Sequence, residues 1–67
     1  MNQTARQLVG RINECLNRTE LAAVGETIAA ATGLSEDDTR ALRRRYAERR
    51  EEIAKLFAEW QQRQGNL

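Results

Sequence analysis

From Ser35 to Gly65 nothing in the sequence interrupts a helix, and this run takes up almost half of a 67-residue chain. Ser35 can cap the backbone N–H of Asp38, and Glu36, Asp37 and Asp38 all favour the positive end of a helix dipole. Proline is absent throughout, so no residue along the run forces a kink. A helix of about 28 residues measures roughly 42 Å, against roughly 20 Å for any helix that the first half of the chain can build. The lengths cannot match.

Two short helices precede it. Thr4 and Gln7 have the spacing of a capping box, and Ala5, Leu8, Val9, Ile12, Cys15 and Leu16 recur at helical intervals. At about 100° per residue these six occupy roughly one third of the circumference, which predicts an amphipathic first helix. Asn17, with Glu20 three residues on, or else Thr19, can open the second. Leu21, Val24, Ile28 and Ala31 form its stripe, and Gly25 at the edge leaves room for a neighbouring helix. Gly33 is placed to end this helix in the left-handed conformation, with Leu34 folding back as its apolar contact. No period-two run of β-branched residues competes. The prediction is an all-α, three-helix bundle with two short helices and one long C-terminal helix, at about 4–16, 19–32 and 35–64, in a single domain across 1–67.

In an up-down-up arrangement the third helix runs beside the first, and the short pair covers only its first half. The second half carries Ile53, Leu56, Phe57 and Trp60 on the face that Leu42 and Tyr46 already occupy. In a single copy these would form an exposed apolar patch, a feature associated with docking surfaces. The simplest cover is a second copy through the C-terminal helix, since a symmetric pair lets each copy shield the other; a different protein is the other. Alternatively the helix breaks near Arg49 and Arg50, where the stripe is interrupted, and a fourth helix folds back over the core.

A chain this short buries only about 60% of the surface exposed on unfolding. Hydrophobic residues make up 40% and charged residues 31%, a balance suited to a folded domain with a thin core. Lys and Arg number 11 against 10 Asp and Glu, for a net charge of +1, so no global field draws the chain to nucleic acid or an anionic surface. No segment approaches the ~18 apolar residues of a membrane span. Met1 to Arg11 contains Arg6 and Arg11 and no unbroken apolar run. We therefore expect a cytoplasmic protein without membrane contact.

The expected class is non-enzymatic. The chain has no histidine and one cysteine, which rules out an intrachain disulfide and leaves only carboxylates and one thiolate to bind zinc. No metal or cofactor is expected. The one candidate nucleophile, Cys15, falls among Leu8, Ile12 and Leu16, where a thiol is inert. Glu36, Asp37 and Asp38 are accounted for by the helix dipole. Glu51 with Lys55 and Glu59 with Arg63 have the spacing of solvated i,i+4 pairs.

Arginine density is the main signal for nucleic acid. Arg40, Arg43, Arg44, Arg45, Arg49 and Arg50 fall within 11 positions that hold one acid, Glu48. Around the helix, however, Arg40 and Arg44 lie at the back, Arg45 and Arg49 flank one side of the apolar stripe, and Arg43 and Arg50 flank the other. Residues 28–35 also have the pattern of a helix-turn-helix: Ala29 at the helix crossing, Gly33 in the turn, Leu34 after it and Ser35 opening the next helix. Against it, three carboxylates occupy the first turn of the would-be recognition helix. Direct DNA binding through Arg40, Arg43, Arg44 and Arg50 is thus the secondary expectation.

Arg11-Ile12, Cys15, Leu21 and Val24, then Leu34-Ser35-Glu36, then Arg49 with Glu52-Ile53, follow an order and spacing that resembles the Hha/YmoA family of small enterobacterial proteins, which modulate nucleoid-associated repressors by binding them. The likeness runs from Leu8 to Ile53, with two extra residues before Gly33. It implies a regulator that reaches DNA only through another protein, with charged residues such as Arg45 and Glu48 at the contact. An acidic residue of the family's third helix falls on Ala47 here, and the family's separate C-terminal helix is replaced by a continuation through Trp60. Taken together, the expectation is a protein-interaction module, a regulator in which Ile53, Leu56, Phe57, Trp60, Arg45, Arg49 and Glu48 meet a protein partner.

Overall fold

The computed structural model describes residues 2–65; Met1, Asn66 and Leu67, included in the expected domain, lie outside the described residues. Three helices follow one another, α1 (Gln3–Glu14), α2 (Arg18–Ala30) and α3 (Glu36–Gly65), and the described residues include no strand. Each start is set by a side-chain cap. Asn17 Oδ1 accepts from Glu20 N–H at 2.8 Å and Ser35 Oγ from Asp38 N–H at 3.1 Å, as the sequence predicts. The first helix differs from expectation: Asn2, not Thr4, is its cap, accepting from Ala5 N–H at 2.8 Å.

The helix ends also fall earlier than the apolar spacing suggests. Cys15 and Ala31 are both extended, with ψ 131° and 138°, and each donates its N–H to the carbonyl three residues back. Leu16 therefore leaves the first helix and turns outward. Gly33 does take a positive φ of 78°, but in the loop after α2 and not as its terminating residue. Leu34 packs against the core as expected.

α1 and α2 form a hairpin laid on α3. The start of α1 reaches the α2–α3 loop, where Asn2 Nδ2 donates to the Gly33 carbonyl at 3.3 Å. Its end reaches Arg45 and Arg49 of α3. Ala5, Leu8, Ile12, Cys15, Leu21, Val24, Leu42 and Ile53 fill the core between the three helices. α2 packs against α3 at Gly25, where an added Cβ would lie 3.0 Å from Tyr46 Oη. The alanine expected at a helix-turn-helix crossing, Ala29, is exposed instead.

α3 is continuous through Arg49 and Arg50, so no fourth helix folds over the core. The core ends at Ile53, and the twelve residues of Ala54–Gly65 extend roughly 18 Å beyond it. The molecule measures 50 × 17 × 15 Å, and its radius of gyration is 14.0 Å, where a compact chain of this size gives about 11 Å.

Candidate docking surface

Along α3 the packing face is carried by Leu42, Tyr46, Arg49, Ile53, Leu56, Trp60 and Arg63, alternately four and three residues apart. That is the 3.5-residue period of a coiled-coil seam, which keeps one stripe of a helix turned toward a partner. The α1–α2 hairpin occupies the seam as far as Ile53. Ile53, expected on the open surface, is thereby corrected to a core residue, 4% exposed. Beyond it the seam has no cover.

Leu56, Phe57 and Trp60 are 55%, 53% and 56% exposed, and Leu16 at the hairpin turn is 76% exposed. Phe57 and Trp60, three residues apart, stack with centroids 6.1 Å apart and planes inclined by 26°. The stack sets Phe57 beside the seam and against Trp60 on it. Between Leu16, Asn17, Arg18 and Thr19 on one side and Ile53, Leu56 and Phe57 on the other lies an apolar notch of about 440 Å³. Leu16 was the element missed in the sequence. Placed on a continuous first helix, it belongs to the core stripe; with α1 ending at Glu14, it becomes one wall of the notch. The signal was Asn17, since a cap at that position requires the chain to leave the first helix just before it.

The charged residues expected at a partner contact, Arg45, Arg49 and Glu48, make contacts within the chain. Arg49 donates from Nε and Nη2 to the Cys15 carbonyl at 3.1 and 2.7 Å, and from Nη1 to Glu52 at 2.9 Å. Arg45 donates from Nε to Asn13 Oδ1 at 2.6 Å and from Nη1 to Glu52 at 2.9 Å, with Glu48 farther off at 3.4 Å. The hydrogen bonds from Arg45 and then Arg49 hold the Glu52 carboxyl below its ordinary pKa. The bond to Glu52 in turn raises that of Arg45. The cluster locks the end of α1 to the middle of α3.

The remaining arginines are arranged differently. Arg40, Arg43, Arg44 and Arg50 are exposed, and none makes an ion pair among the described residues. Arg43 borders a shallow groove between α2 and α3, with Gly25, Ala29 and Tyr46 along it. The Cys15 thiol is buried, donates to the Arg11 carbonyl at 3.2 Å, and has its pKa pushed up by burial, all of which suppress the thiolate. Among the described residues no group of His, Cys, Asp and Glu side chains is arranged to hold a metal, and no helix is long and apolar enough to cross a membrane. No family model matches the chain, and comparison with curated proteins and with solved structures finds no match.

Proposed function

We propose that this protein is a non-enzymatic interaction module that pairs with a second copy of itself through the distal half of α3. As the family resemblance implies, it would serve as a regulator that docks on a transcriptional or nucleoid-associated protein. One observation carries the docking role: four large apolar side chains are each more than half exposed, Leu16, Leu56 and Phe57 lining one notch and Trp60 stacked on Phe57 next to it. Contiguous apolar surface of this kind on a small domain marks an interaction site, and isologous pairing is the commonest way in which such a patch is covered.

Sedimentation across a wide concentration range tests the self-association. The natural chain is expected to dimerise, and Phe57→Ala with Trp60→Ala to give a monomer of nearly unchanged helicity, since neither ring belongs to the core. A natural chain that stays monomeric at high concentration overturns the reading. A second reading, direct DNA binding, is favoured by one observation, the exposure of Arg40, Arg43, Arg44 and Arg50, none of which makes an ion pair among the described residues.

A further inference from the structure

Resting on that self-association, the geometry points to one arrangement of the pair: the two distal halves of α3 run antiparallel, and Trp60 of each copy seats in the notch between Leu16 and Leu56 of the other. Packed helices have axes about 8–10 Å apart, a gap that admits no further helix. The α1–α2 hairpin lies on the seam face of α3 as far as Ile53, and the notch shows that the exposed residues open on that same side. A parallel pair would bring the two seams face to face with two hairpins between them. An antiparallel pair sets the two hairpins at opposite ends, so that the free segments, roughly 18 Å each, overlap and only the last turn of each α3 reaches alongside the edge of the other copy's hairpin.

The surface is self-complementary in this register. With the two-fold axis near Phe57 and Ala58, Trp60 comes opposite Ile53 and Leu56 of the second copy, where the notch lies. Arg63 comes opposite Glu52, whose two oxygens Arg45 and Arg49 already engage, so the fit rests on the apolar residues and not on the rim charges. The area is adequate. An aromatic side chain offers roughly 150–250 Å², so two half-exposed rings and two exposed leucines leave on the order of 500 Å² uncovered per copy. Two copies then reach about 1,000 Å², the lower bound for a specific interface.

Crosslinking of single-cysteine chains in a Cys15→Ala background decides the orientation. Chains carrying Gln64→Cys are mixed with chains carrying Thr19→Cys and treated with a short bifunctional maleimide. The expected product joins position 64 of one chain to position 19 of the other, and Gln64→Cys chains do not join to each other, because antiparallel overlap holds those two sites about 20 Å apart. Joining of Gln64→Cys chains to one another overturns the arrangement while leaving self-association intact.

Trp60 is the one tryptophan of the chain, so its emission reports the notch without any cysteine variant. Emission of the natural chain is expected to shift to the red on dilution. Leu16→Glu, outside α3 and already exposed, is expected to weaken the pair at least tenfold with helicity unchanged. Dimerisation of Leu16→Glu as tight as that of the natural chain overturns the notch. A natural chain monomeric at every concentration overturns the arrangement together with the proposed function.

Discussion

Arg49 holds the carbonyl oxygen of Cys15 with two of its nitrogens, at 3.1 and 2.7 Å, across a sequence separation of 34 residues. Cys15 ends α1, where the last carbonyls have no helical N–H to accept from. The guanidinium therefore does for the C-terminus of α1 what Asn2 does for its start, and it accounts for a cation on a seam otherwise apolar from Leu42 to Trp60. Arg49→Ala leaves that carbonyl without its charged donor and is expected to cost about 1–3 kcal/mol. Arg49→Lys keeps the charge but loses the planar fork, and should fall between the two. Urea midpoints measure both; a midpoint for Arg49→Ala equal to that of the natural chain would mean that water replaces the contact.

Glu52 links the same corner to pH. Bonds from Arg45 and Arg49 lower its folded pKa, while the unfolded chain holds it near the ordinary glutamate value of about 4.3. Its contribution is therefore fully present above that value and is lost as pH falls through the lowered folded pKa. Glu52→Gln should be the less stable chain at neutral pH and should converge with the natural one in acid, when thermal midpoints are compared from pH 7 downward. Parallel curves would sink this assignment.

How far the fold was legible in the residues depends on where each boundary is decided. Asn17 and Ser35 cap their own helices through bonds three residues long, so local sequence suffices to find them, and the unbroken run after Ser35 reveals a helix too long for its companions. The ends of α1 and α2 are another matter. Apolar spacing continues through Leu16 and Ala31, and what stops α1 at Glu14 includes a contact from Arg49 far along the chain. The docking surface shares this split. Leu56, Phe57 and Trp60 could be read from the length mismatch alone, but assigning Ile53 to the core and Leu16 to the notch required knowing where the hairpin turns. Arg45, Arg49 and Glu48 show the same limit, since a charge beside an apolar stripe looks alike in sequence whether it faces a partner or its own domain.

Two glycines separate helix propensity from packing. Gly10 lies within α1 with nothing inside 4 Å of an added Cβ, so Gly10→Ala should stabilise the fold by about 0.5–1 kcal/mol through reduced backbone freedom alone. Gly25 offers the same gain in α2, but its new methyl would meet Tyr46 Oη at 3.0 Å and Cε2 at 3.1 Å. Gly25→Ala should therefore gain less than Gly10→Ala, and Gly25→Val should be destabilising. Denaturation midpoints of the three variants give the order, and equal gains at both alanine sites would show that Tyr46 yields freely.

The choice between docking on protein and docking on DNA turns on how charge is spread over α3. Arg40, Arg43, Arg44 and Arg50 are exposed, but Glu36, Asp37 and Asp38 occupy the first turn of the same helix, the end that a recognition helix presents to the bases. Ala29, the alanine that the pattern places at the helix crossing, is exposed, whereas Gly25 packs against Tyr46 of α3. A direct binder neutralising about four phosphates would show log affinity falling against log salt with a slope near −3.6. For this chain the expected result is no appreciable affinity for duplex DNA at physiological salt, and no change on replacing the four arginines with glutamine. A steep salt slope that Arg40→Gln and Arg44→Gln each reduce by about one would transfer the function to DNA.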